Sequence, residues 1–169
     1  MKIQIIGYSG TGKSTLAKEL SKIYNIPCLY LDVTHFYGDW KERNDKEQNE
    51  IVNEFLNNNS SWVIDGNYTR ISPSRFYDSD ITIFLNFNRF FCFFSCFKRY
   101  LKYKGKTRES IPCEEKFDKE FITWILFKSR TKMCKKRHLE NLNKTQGQKL
   151  IFTNRRQVNN YLKHLKENR

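Results

Sequence analysis

One short stretch constrains this chain more than any other. In "IQIIGYSGTGKSTLAKEL" (residues 3–20), Gly7-x-x-x-x-Gly12-Lys13-Ser14 joins an apolar run to an amphipathic one. The pattern needs a strand, a glycine turn and a helix in that order. Glycines let the turn bring backbone N–H groups close to phosphate oxygens, and the helix N-terminus adds its positive end. Lys13 supplies a mobile cation for the β- and γ-phosphates. The Ser14 hydroxyl can ligate Mg²⁺, and Thr15 can touch the α-phosphate. Gly7, Ser9, Gly10, Thr11, Gly12, Lys13, Ser14 and Thr15 are therefore the expected nucleotide-binding loop.

Beyond the loop the chain repeats a strand–helix rhythm. "KIQII" (2–6), "CLYL" (28–31), "SWVID" (61–65), "ITIFLNF" (81–87) and "KLIFT" (149–153) are expected as five strands. A helix is expected from about 13 to 24, with Leu16, Leu20 and Ile23 at helical spacing. Others are expected near 45–57, from 88 to 103, over about 116–141, and at 154–165 behind an Asn154 cap. This alternation predicts an open, mainly parallel α/β sheet in one domain spanning 1–169, with an excursion at about 102–116. Ligands in such sheets bind beyond the carboxyl ends of the strands. That gathers the glycine loop, Asp32, Asp65, the segment after Phe87 and Asn154–Arg156 around one crevice.

A phosphate loop needs an acid at a neighbouring strand end to hold the metal. Asp65, closing "SWVID", is expected with Ser14 at the Mg²⁺. Asp32, closing "CLYLD", is expected to serve either the metal or the acceptor, and His35 just beyond it can contact an acceptor. No Ser-His-Asp arrangement or metal-ligand cluster stands out. The chemistry is therefore positioning and charge neutralisation, without a covalent intermediate.

The apolar run "FFCFFSCF" (90–97) is too short to span a bilayer, which takes about 20 residues, and is expected as a buried helix segment. Five cysteines without a CxxC pair are expected as reduced thiols, and no membrane association is expected. Met1 leads directly into the first strand without a signal-like segment, so a cytoplasmic protein is expected. Charge is unevenly distributed. Residues 1–88 hold 9 Lys/Arg against 11 Asp/Glu, and residues 89–169 hold 22 against 7. Such a half favours anionic partners, nucleotide phosphates or nucleic acid.

The blocks "IIGYSGTGKSTLAKEL", "YLD", "WVIDGNY", "IFLNFNR", "KRYLKYKGKTR", "EKFDKEFITWI" and "NRRQVNNYL" occur in an order that resembles the DNA topology modulation proteins, members of the adenylate-kinase-like P-loop NTPases. The likeness runs from about residue 1 to 165. It implies a three-layer α/β fold like that of nucleoside monophosphate kinases, with a five-stranded mainly parallel sheet and a helical lid region. ATP and Mg²⁺ are the implied donor. The resemblance assigns Gly10, Gly12, Lys13, Ser14 and Thr15 to ATP and Asp65 to the Asp-Gly position of adenylate kinases. It assigns Arg99 to an arginine at the lid base that reaches the transferring phosphate, Arg108 to the lid, and Arg155 to the loop bordering adenine.

Departures from that pattern concern the acceptor. Asn67-Tyr68-Thr69-Arg70 stands where adenylate kinases read Phe-Pro-Arg, so Arg70 arrives one place late. Ser95 replaces an arginine, and Asn86 a frequent aspartate. The leading expectation is an ATP-dependent phosphotransferase acting on a nucleotide or other small molecule. Arginines 43, 70, 75, 99 and 108 are expected around the crevice, with Asp32, His35, Arg43 and Arg70 on the acceptor side. The alternative is a nucleic-acid-associated regulatory ATPase, in which Lys98, Arg99, Lys102, Lys104, Lys106 and Arg108 interleave with Tyr100 and Tyr103 along DNA. A third reading, a switch acting through a protein partner, has no separate signature.

Overall fold

The structure is a computed structural model that describes residues 1–168. Strand β1 (Lys2–Gly7) runs into the glycine loop, and helix α1 (Lys13–Tyr24) leaves it. Asn25, in the left-handed region at φ 52°, ends that helix and turns the chain into β2 (Cys28–Tyr30). A short helix α2 (Leu31–His35) and an antiparallel hairpin of β3 (Phe36–Gly38) and β4 (Lys41–Glu42) follow. Next come α3 (Asp45–Asn58), β5 (Trp62–Asp65), α4 (Ser74–Tyr77), β6 (Ile81–Leu85) and α5 (Arg89–Tyr103). Beyond an irregular stretch at 104–118 lie α6 (Lys119–Leu126), a 3-10 turn (Lys128–Arg130), α7 (Lys132–Lys144), β7 (Gln148–Phe152) and α8 (Arg155–Glu167).

The five long-range strands form one parallel sheet in the order β2-β5-β1-β6-β7. Every residue of β5 and β6 is buried, as befits parallel strands covered on both faces. Leu16 and Leu20 of α1 pack with Ile3 and Ile5 of β1, while Val52 of α3 packs with Trp62 and Ile64 of β5. Burying each such side chain contributes roughly 1.5–3 kcal/mol. Asn side chains start three of the helices: Asn44 accepts from Glu47 N–H at 2.9 Å, Asn88 from Phe90 at 2.8 Å, and Asn154 from Gln157 at 3.0 Å. The fold is the expected three-layer α/β sheet, and strand pairing brings Tyr30, Asp65, Gly7, Leu85 and Phe152 together at its carboxyl edge.

Several local expectations are corrected. The single helix over 116–141 is two helices with a 3-10 turn between them. The Thr131 side chain accepts from Cys134 N–H at 3.2 Å and so starts a new helix. The excursion is not helical; paired hydrogen bonds between Arg108 and Ile111 are its one regular feature among the described residues. The run "FFCFFSCF" is not a buried segment either. Only Cys92 and Cys96 of α5 are fully buried, whereas Phe90 is 61% and Phe94 59% exposed. No described helix is long and apolar enough to cross a membrane.

Candidate active site

The loop after β1 is shaped by two glycines that no other residue can replace. Gly10 has φ 80°, and a Cβ there would lie 2.4 Å from the carbonyl oxygen of Cys92. Gly12 has φ 85°, and a Cβ there would meet the Arg155 guanidinium at 2.4 Å. Both positions are left-handed; a side chain at Gly10 would press on the α5 backbone, and one at Gly12 would displace the Arg155 guanidinium. Thr11 is fully buried and donates its hydroxyl to Tyr8 O at 2.8 Å, closing the loop on itself. No side chain caps α1, so its first N–H groups and the positive end of its dipole face the loop's concavity. Lys13 Nζ donates to Tyr8 O at 3.2 Å, within the same turn.

Beneath the loop, Ser14 Oγ donates to Asp65 Oδ2 at 2.6 Å. The other carboxylate oxygen, Oδ1, is buried and has no hydrogen-bond partner. Burial pushes the Asp65 carboxyl up to about 6; the Lys13 ammonium and the Ser14 hydrogen bond pull in the opposite direction without offsetting it. A buried carboxylate with one unpaired oxygen beside a serine hydroxyl suits Mg²⁺. That ion takes oxygen ligands from one or two protein groups and completes its shell with substrate phosphate. No group of three or more His, Cys, Asp or Glu residues is assembled for a metal among the described residues. Of the protein's groups, Ser14 and Asp65 would hold the ion.

The segment following Asp65 is fastened from below. Gln4, buried in the middle of β1, donates to Ile64 O at 3.3 Å and Gly66 O at 3.1 Å, and accepts from Arg75 Nε at 2.9 Å. Arg75 is fully buried, and its remaining nitrogens donate to the carbonyls of Asn67, Tyr68, Ile71 and Ser72. Burial lowers its guanidinium to about 9, which still leaves it charged at neutral pH. Arg75 therefore does not face the crevice as expected; it shapes the 67–72 turn. In that turn Asn67 grips Gly7 through both backbone groups, each at 3.0 Å.

On the acceptor side, Asp32 does not close a strand. It lies in the first turn of α2, because β2 ends at Tyr30, and Tyr68 donates its hydroxyl to Asp32 Oδ1 at 2.8 Å. His35 is half-buried beside Tyr68, with ring centroids 4.7 Å apart, and its Nδ1 is 3.1 Å from Gln48 Oε1. The remaining two acceptor-side arginines are occupied elsewhere. Arg43 Nη1 donates to the carbonyls of Val33, Thr34 and Phe36, capping the end of α2. Arg70 is 86% exposed, with Asp45 at 3.5 Å. Asp32 and His35 thus meet at Tyr68, while Arg43 serves the backbone and Arg70 faces solvent.

Arg99 and Arg108 come together on a residue that sequence reasoning does not single out. Glu115 accepts from Arg99 Nε at 2.9 Å through one oxygen and from Arg108 Nε through the other. Arg130, also unanticipated, stacks 3.6 Å from the Tyr8 ring centroid and donates to Phe87 O at 2.7 Å; its Nη2 is buried without a hydrogen-bond partner. Arg155 donates to Thr11 O at 3.1 Å. Beside it, Asn88, Phe91, Thr153, Asn154 and Arg156 complete an open groove of about 470 Å³ at the far end of the loop. Thr15 is exposed at the α1 start, and Ser9 is half-buried in the loop.

Against known protein families the chain has no matching family model. A 32-residue stretch is 59% identical to a shikimate kinase of Flavobacterium johnsoniae; it spans 19% of this chain and 19% of that protein. The fold recurs along nearly the whole chain. A shikimate kinase from Bacteroides thetaiotaomicron superposes with TM-score 0.57 at 19% identity, covering 99% of this chain and 97% of that one. A shikimate kinase from Acinetobacter baumannii, in complex with shikimate, gives 0.59 at 13% identity over 99% and 94%. An uncharacterized protein from Eubacterium ventriosum gives 0.51 at 17% identity over 98% of each chain. This chain thus shares the fold of these solved structures.

Proposed function

We propose that this chain is an ATP- and Mg²⁺-dependent phosphotransferase that moves the γ-phosphoryl of ATP to a small-molecule acceptor. The observation carrying this reading is the pair Ser14–Asp65 under the glycine loop, with an unpartnered buried carboxylate oxygen on an acid that feels the charges of Lys13 and Asp32. Phosphoryl transfer needs little covalent chemistry and much positioning. The loop N–H groups and Lys13 bind the β- and γ-phosphates, and the groove at Phe91 and Arg155 accommodates the base. Bound Mg²⁺ would neutralise phosphate charge as the bond to the β-phosphate oxygen breaks. Arg99 and Arg108 supply further positive charge, and Asp32, held by Tyr68, orients the attacking oxygen of the acceptor.

The basic second half belongs to the same reading. Its arginines at 99, 108, 130 and 155 are taken up by Glu115, Tyr8, Phe87 and Thr11 around the loop, where they suit phosphate better than an extended nucleic-acid track. The likeness of "WVIDGNY" and "RYLKYKGKTR" to the DNA topology modulation proteins fits it too. The first block forms the floor under Gly7, and the second, residues 99–108, begins with Arg99 and ends with Arg108.

The acceptor is sought with MgATP and a panel containing shikimate, nucleoside monophosphates, nucleosides and sugars, read as ADP formed. One acceptor that raises ADP formation well above the rate with water, and fails to do so with Lys13→Ala, is the expected result. A flat panel with wild-type protein would refute the reading.

A further inference from the structure

Four consecutive residues, Cys113 to Lys116, touch both halves of the site. Three of them hold the β3–β4 hairpin. The Trp40 backbone N–H donates to Cys113 Sγ at 3.3 Å, its indole Nε1 donates to Glu114 O at 3.1 Å, and Lys116 Nζ lies 5.1 Å from its ring centroid. Trp40 sits in the hairpin turn with φ 62°, next to Asp39 at φ 45°, and its ring is held by the contacts to Glu114 and Lys116. The hairpin continues directly from α2, which carries Asp32 and His35.

The fourth residue, Glu115, holds the arginine pair. Its side chain is only 4% exposed and divides its two oxygens between Arg99 and Arg108. Each guanidinium is gripped at Nε, the nitrogen nearest its own chain. Arg108 also spends Nη1 on Ser110 Oγ at 2.8 Å. Both nitrogens at the outer end of Arg99, and Nη2 of Arg108, are left for a second anion. A phosphoryl group is the anion that such forked ends recognise. A shared carboxylate also lets two guanidinium groups lie side by side without net repulsion. Arg108 already lies within electrostatic reach of Asp65.

We infer that Cys113–Lys116 is a strap coupling closure of the acceptor-side hairpin to the arginine pair, with Glu115 as the positioning residue that presents Arg99 and Arg108 together to the transferring phosphoryl. This rests on the phosphotransferase reading. When the hairpin seats, Trp40 draws the strap in and Glu115 carries both arginines with it. When the hairpin opens, the pair withdraws and ATP is spared from water.

The test uses Glu115→Gln, Glu115→Asp and Trp40→Ala in the full chain, with MgATP and the acceptor found by the panel. Glu115→Gln should lower kcat at least tenfold while KM for MgATP moves less than threefold, and Glu115→Asp should recover part of kcat. Trp40→Ala should lower transfer to the acceptor at least fivefold while ATP hydrolysis by water stays within twofold, because only coupling is cut. A Glu115→Gln protein too unstable to assay leaves Glu115→Asp and Trp40→Ala to decide. Unchanged kcat in the soluble variants, or a Trp40→Ala loss shared equally by transfer and hydrolysis, overturns the strap. Wild-type protein that turns over no MgATP instead refutes the phosphotransferase reading itself.

Discussion

Asn67 pairs its carboxamide with both backbone groups of Gly7: Oδ1 accepts from the N–H and Nδ2 donates to the carbonyl, each at 3.0 Å. A side chain thereby continues the β1–β5 ladder one step past the last main-chain bond, from Gly66 N–H to Ile5 O at 3.1 Å. The first glycine of the loop is thus held from the segment that follows Asp65 at the end of β5. Asn67→Ala should cost about 1–3 kcal/mol, the penalty of leaving partly buried polar groups unpaired. Asn67→Asp keeps the acceptor but sets a carboxylate against the Gly7 carbonyl and adds negative charge beneath the phosphates. Its MgATP dissociation constant should rise at least tenfold in equilibrium titration. An affinity equal to wild type would sever Asn67 from the loop's function.

Asp65 makes metal use depend on pH. Its carboxyl is raised from 3.8 to about 6, chiefly by burial, so protons compete with the metal in a range where exposed aspartates are fully ionised. Below pH 6 the Mg²⁺ concentration giving half-maximal MgATP turnover should climb, by up to about tenfold per pH unit. Above pH 7 it should be flat. Asp65→Asn should raise the Mg²⁺ requirement at every pH and abolish the climb. A climb that persists in that variant would move the metal's titrating ligand to Asp32.

How legible each residue is from the chain depends on what it contacts. The glycine loop and the five strands are legible because their physics is local: glycine alone fits the turn, and continuous apolar runs suit a buried parallel sheet. Asp65 is legible for the same reason, as an acid ending such a run. Asp32 is misplaced from sequence because "CLYLD" reads smoothly as strand, whereas the chain breaks into α2 after Tyr30. The split between α6 and α7 carries no Gly or Pro; only the Thr131 cap marks it. Arg75 and Glu115 are beyond reach for a different reason. Charged residues belong at the surface on average, and only the folded chain supplies the carbonyls and guanidinium groups that make their burial tolerable.

Arg75 gives a stability test of that point. Its planar fork reaches Gln4 and four backbone carbonyls, a pattern that three tetrahedral ammonium donors cannot reproduce. Arg75→Lys should therefore destabilise the fold by about 2–4 kcal/mol, in the range for breaking a buried hydrogen-bonded network. The loss should appear in urea titration with an unchanged m-value. Because the 67–72 turn carries Asn67 and Tyr68, MgATP affinity should fall as well. A fully stable Arg75→Lys protein would mean that the turn holds itself.

His138 supplies a second pH signature of opposite sign to that of Asp65. Its ring is buried, edge-on to Tyr8 at 5.1 Å and tilted on Phe84 at 5.0 Å. Burial, aided by the charges of Lys13, Arg137 and Arg130, lowers it from 6.5 to about 4. The folded protein keeps this ring neutral, while the unfolded chain takes up a proton below pH 6.5. Stability from this group is therefore lost as pH falls from about 6.5 to 4. Asp65 acts the other way: its folded carboxyl takes up a proton from about pH 6 downward while the unfolded one waits until about 3.8, so stability is gained over nearly the same window. Each effect is at most about 3 kcal/mol, and in the wild type they largely cancel. His138→Phe preserves the ring packing and removes only the loss, so its melting temperature relative to wild type should rise as pH drops from 7 to 4.5. Asp65→Asn should show the reverse trend. Thermal melts of the three proteins across that range decide the matter, and parallel curves would show that neither group is titrating where its surroundings require.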